Sequence, residues 1–458
     1  MLSLDRYYYV ITLLSILCLS GSTGLGLSVL ATNSQSSTTE AESITTPPQS
    51  SYPSLTDPSL KVEKVADGLF LPTSISFLGD NDFIILQKNG TVSRIVNGTL
   101  LDRPLLNLEV ASGFYQGLLG SAVSKNVEAN TTYVFLYYTQ LNPNNMSDGE
   151  STINSVNSSS KFLGHKVYRY ELVDGKLTNP KLLLELPSTP GPENNGGHIT
   201  IGPDNNLFII IGNVMNPSNE TEVQTLTQNF VNGSPPDGRS GILHITQDGE
   251  PIPNKNNTNN ETRGILGNNY PLNLYYAYGI HNGFGLAFDP ITGHLWDTET
   301  GHYIYNDEIN LVMPGFNSGY GVVQGMSAFF PNSPYSMVSF NGSGKYSDPE
   351  FTWVQKAVPT GLAFVTSDKL GSTYQNDLLV GTFNAGKIYH FDLTEDRTHL
   401  VLPPSLQPKI LLTLNSTGAD EIEFGSGFGG ISSIAISPEG YLYVVGVVNG
   451  AVYKISPR

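Results

Sequence analysis

One phrase, repeated six times after residue 60, decides most of what this chain can fold into. Each copy opens on Gly or Pro, runs through a short alternating strand to a polar turn, and continues in a second strand rich in aromatic and branched residues before a third. The strands of the copies fall at 72–77, 83–87 and 90–95; at 117–123, 133–138 and 166–172; at 197–201, 207–211 and 241–245; at 285–288, 294–297 and 307–312; at 361–364, 377–381 and 387–393; and at 431–436, 441–446 and 451–455. Period-2 alternation bounded by Gly, Asn and Asp turns is the antiparallel-strand pattern. Units this short cannot each bury a core, so they stack and bury their faces together. The expectation is an all-β, six-bladed β-propeller of four-stranded antiparallel blades over residues 60–458. A β-sandwich array would not explain one phrase repeated with loops inserted between its copies. The 458 residues would suggest about three domains at roughly 150 residues each, and the repeat overrides that figure.

The segment before the repeat reads differently. Arg6 precedes an apolar run at residues 10–19, followed by the small-residue stretch SGSTGLGLSVLA. Charged start, apolar centre and small-residue end predict a secretory signal peptide over 1–31, with an uncleaved anchor as the alternative. Residues 32–59 are rich in Ser, Thr and Pro and predict a solvated linker. The sole cysteine, Cys18, lies in the apolar run, which excludes an internal disulfide or a thiolate metal cluster. N-x-[ST] sequons stand at Asn89, Asn97, Asn130, Asn145, Asn157, Asn219, Asn232, Asn256, Asn260, Asn341 and Asn415, as surface glycosylation of an exported chain would require. A net charge of −17 with no basic run argues against a nucleic-acid partner. Contact with a membrane is expected only through an uncleaved N-terminal segment.

Three phrases go further than the repeat. The run YYAYGIHNGFGLAFDPITGHLWDTETG with NDEINLVMPGFNSGYG, the run PGPENNGGHITIGPDNNLFIIIGN, and FYQGLLGSAVSKN resemble the fourth-, third- and second-blade motifs, respectively, of the soluble glucose/sorbosone dehydrogenases. The resemblance covers essentially residues 61–457. It implies a propeller that binds pyrroloquinoline quinone (PQQ) with calcium, oxidises a sugar or alcohol hydroxyl by hydride transfer to the quinone, and passes electrons to an external acceptor. It also implies a His base in H-x-G-G-R, an R-N pair facing the quinone, and calcium on the carbonyls of a Gly-Pro pair.

This chain departs from the pattern in that pocket. The base position is Asn194 and the later Arg of the same phrase is His198. The R-N pair reads His281–Asn282, and the Gly-Pro pair reads Gly301–His302 in a turn one residue longer. The Gln or Glu before GLLG is matched by Tyr115–Gln116, and a common Asp by Asn213. An amide positions an alcohol but takes no proton at neutral pH. Loss of a general base removes roughly 10²–10⁴-fold in rate. His281 lacks the fixed charge and planar fork of Arg. His198 stands as a displaced base. Glu193, next to Asn194, should point to the other face of an extended strand. Asp307 and Glu308 are expected to brace their turn, and Trp296 with Tyr275 and Tyr276 to pack between blades. Two readings lead: a dehydrogenase with an altered pocket, and a catalytically degenerate propeller that binds carbohydrate or a cell-surface partner; a calcium-dependent hydrolase propeller ranks third, because it would need carboxylates from several blades converging on the axis.

Overall fold

The computed structural model describes residues 52–113, 115–126, 130–141, 162–186, 193–214, 224–252, 264–301, 306–330 and 336–458. The predicted leader and most of the predicted linker lie outside these residues. Six sheets follow one another along the chain. Their innermost strands are Pro72–Gly79, Leu118–Asn126, His198–Ile201, Gly283–Phe288, Pro359–Phe364 and Ile431–Ile436, for blades 1 to 6. In chain order each innermost strand neighbours the next, and that of blade 6 returns to that of blade 1. Ring and blade count are those the repeat predicts.

The hydrophobic pattern explains the stacking. The second strand of blade 3, Leu207–Ile211, is buried on both faces. Side chains alternate across a strand, so Leu207, Ile209 and Ile211 pack with blade 2, while Phe208 and Ile210 pack with blade 4. The remaining clusters join blades 4 and 5, 5 and 6, 1 and 2, and 6 and 1. The core is thus six seams between blades, with no single centre.

Closure comes from the N-terminal side. Leu60–Ala66 pairs antiparallel with Ala451–Pro457 and completes blade 6 from the opposite end of the chain. Ser54–Leu55 pairs with Glu423–Ser426 at the outer edge of blade 5. Ring pairing therefore begins inside the stretch read as linker. Those few residues make backbone hydrogen bonds along an otherwise open strand edge, which composition does not register.

At one end of the ring the innermost strands begin irregularly. Their pairing shifts register just after the first residue in blades 1, 2, 4, 5 and 6. In blade 3 the strand follows Gly196 and Gly197, both at positive φ. A Cβ on Gly120 would lie 1.9 Å from the Gly197 carbonyl oxygen, so blades 2 and 3 touch backbone to backbone there. Such bulges re-aim the adjacent side chains.

Candidate functional site

At that bulged end each blade contributes the residues just before its innermost strand and the loop after its second strand. Asn194, His281 and Lys356 come from the first kind of position in blades 3, 4 and 5, and Glu299, Thr300 and Gly301 from the second kind in blade 4. A narrow recess is lined there by His281, Glu299, Thr300, Gly301, Glu308 and Tyr320, among others.

His281 is held on every side. Its backbone N–H donates to Glu299 Oε2 at 2.9 Å. Its Nδ1 lies 2.7 Å from the Thr300 carbonyl oxygen. A carbonyl only accepts, so Nδ1 carries the proton and Nε2 presents a lone pair. Asn194 Nδ2 donates toward that lone pair at 3.2 Å, and the Tyr320 ring lies 4.8 Å from the imidazole. Asn282 ties blades together: its Oδ1 accepts from Gly196 N at 3.1 Å and its Nδ2 donates to Thr300 Oγ1 at 3.2 Å.

Sequence reasoning places Glu193 on the far face, and the structure corrects it. Asn194 sits at φ 54°, in the left-handed region, so the chain is not extended there and alternation fails. The Glu193 charge is felt by Lys356 and by Tyr115, at the mouth of the ring. Tyr115 itself is half exposed, while Gln116 is buried and closes a turn through its N–H to Gly113 O at 2.9 Å. His198 makes no hydrogen bond to Asn194 or His281 among the described residues, and burial pushes its imidazole down to about 4. A base so weakened has little proton affinity to use near neutrality. His302 lies outside the described residues.

Asp307 braces the turn, as expected. Its Oδ1 accepts from Gly301 N at 2.9 Å, and its Oδ2 accepts from Ala357 N and Val358 N, both at 2.7 Å. Glu308 accepts from Gly325 N, Ser318 Oγ and Asn310 Nδ2. Asn310 Nδ2 also reaches Asp297 Oδ1 at 3.0 Å and Glu299 Oε1 at 3.2 Å. Burial raises all three acids around this amide, Glu308 to about 7. Trp296 and Tyr275 are buried between blades, and Tyr276 packs against Phe208.

Sequence reasoning misses Lys356. Its Nζ donates to the Gly301 carbonyl oxygen at 3.1 Å. Burial lowers its pKa, and Asp307 and Glu193 raise it in part. The repeat held the signal, because Lys356 stands just before a blade's innermost strand, where His281 stands in blade 4. Lys88, at the same end of blade 1, is pushed down to about 8 by burial. Two ammonium groups suit a quinone that carries carboxylates. Calcium at Gly301 does not fit. The carbonyl already accepts from the Lys356 ammonium, whose charge would repel a cation there.

The propeller has counterparts among known proteins. The model of the Glucose / Sorbosone dehydrogenase family matches residues 69–453, and the chain belongs to that family. Escherichia coli aldose sugar dehydrogenase YliI is 24% identical over 416 residues, 87% of this chain and 94% of that protein. An oxidoreductase (glucose dehydrogenase) from Thermus thermophilus superposes with a TM-score of 0.62 at 24% identity, covering 86% of this chain and 99% of that one. The PQQ-bound aldose sugar dehydrogenase of Streptomyces coelicolor gives 0.59 at 20% identity, covering 87% and 98%. These structural likenesses show the propeller.

Proposed function

We propose that the protein is a PQQ-dependent dehydrogenase of an aldose or related alcohol, with His281 as its general base. The observation that carries this is the fixed tautomer of His281: Nδ1–H bound to the Thr300 carbonyl and Nε2 left as an acceptor on the wall of the recess. An imidazole so oriented takes a hydroxyl proton as the carbon–hydrogen bond of the same carbinol breaks. Asn194 guards the lone pair until a substrate hydroxyl replaces its amide, and then offers that N–H to the substrate oxygen. Lys88 and Lys356 would meet the carboxylates of the cofactor. When bound, the quinone supplies the two-electron acceptor, which an external oxidant must regenerate.

The test is reconstitution of the purified chain with PQQ, followed by dye reduction with a panel of aldoses and alcohols. Reduction should occur, and His281→Ala should lower kcat/KM by about 10²–10⁴-fold, while His198→Ala stays within a few-fold of wild type. The reverse ranking would move the base to His198. No reduction with any substrate would leave the second reading, a binding propeller. One observation favours that reading: the His281 ring nitrogen that would act as base is already engaged by the Asn194 amide.

We also propose export of the chain. The charged and apolar leader supports this, as does the exposure of every described sequon asparagine: Asn89, Asn97, Asn130, Asn232, Asn341 and Asn415. Peptide mapping of the protein from its native host should find a mature N-terminus after residue 20 and glycan on some of these six. An intact residue 1 with unmodified asparagines would rule it out.

A further inference from the structure

We propose that the Lys356 ammonium is a built-in cation, filling the position at the Gly301 carbonyl where a divalent metal would otherwise bind. Three observations on different elements converge on it. First, Nζ lies 3.1 Å from the Gly301 oxygen. A calcium ion takes its oxygens at about 2.3–2.6 Å, so the ion and the ammonium would compete for one lone-pair region of one atom. Second, Asp307 fixes the donor opposite its acceptor. One carboxylate oxygen holds Gly301 N, and the other holds the two N–H groups directly after Lys356.

Third, the backbone is forced to make that arrangement. Val358 has φ 56°, which a β-branched residue adopts only where its surroundings impose it. That turn aims the Ala357 and Val358 N–H groups at the same Asp307 oxygen. Glu193 of blade 3 adds a negative charge that favours the ammonium. Calcium requires about six to eight oxygens. With the Lys356 ammonium on the Gly301 oxygen, that set cannot assemble there. The position is built for a single charge on a tether.

The inference does not depend on the dehydrogenase reading, and its test uses neither quinone nor sugar. Calcium chloride is titrated into the purified chain by calorimetry, with melting temperatures read in parallel, for wild type, Lys356→Ser and Lys356→Met. Wild type should show no calcium-dependent heat and no melting shift at millimolar calcium. Lys356→Ser, which vacates the carbonyl, should acquire both, the stabilisation growing with the logarithm of calcium concentration. Lys356→Met keeps the apolar stem without the charge; it stands in for the Ser variant should that fail to fold. Wild-type calcium binding that either substitution leaves unchanged would overturn the proposal, as would a folded variant no more responsive than wild type.

Discussion

At the mouth of the ring an amide of blade 3, Asn194, and an imidazole of blade 4, His281, hydrogen-bond each other. The acceptor lone pair of this contact belongs to blade 4. The acids behind it make a pH prediction. Burial places Glu308 at about 7 in the folded chain, against 4.5 for an ordinary Glu. Between those values the folded state holds a proton that the unfolded state has released, so this group's contribution is full below about pH 4.5 and lost as pH rises through 7. Glu308→Gln, nearly isosteric and uncharged, should therefore gain stability relative to wild type from pH 5 to pH 8, by an amount on the order of a few kcal/mol. Paired denaturant unfolding across that range reads the difference, and a gap that shrinks toward pH 8 would contradict the assignment.

Among the elements, the repeat was legible because every blade must alternate, turn on Gly, Asn or Asp, and alternate again. The second strands were readable as continuous apolar runs, since each is covered by a blade on both faces. The closing strand was less legible. LKVEKVA does not announce a partner at the far end of the chain, and Glu63 faces Lys454 only after the ring has closed. Leu60 is 2% exposed in the seam between blades 5 and 6. Leu60→Ala should cost about 2–5 kcal/mol in equilibrium unfolding, as for a fully buried leucine. A loss near zero would mean that this strand does not carry closure. Asn194 and Glu193 show the opposite limit: a left-handed residue at a strand start breaks the alternation by which sequence assigns faces.

Across the molecule, six shared seams make each blade dependent on two neighbours. The only two tryptophans, Trp296 and Trp353, both lie fully buried in the seam of blades 4 and 5. Their fluorescence reports one sector, whereas circular dichroism reports every blade. If the seams couple the ring, the two probes should give coincident guanidinium transitions; an earlier fluorescence transition would show blades 4 and 5 opening on their own. The charge of −17 predicts no retention of DNA at about 0.1 M salt, read by gel shift. Periodicity and residue type are local properties, so the linear chain was enough for the all-β ring and its six units. It was not enough to show that His281 presents Nε2, that Asn194 takes a left-handed turn, or that Lys356 sits on Gly301. Each of those depends on a hydrogen bond or a left-handed turn joining different blades, and such pairings exist only once the ring has closed.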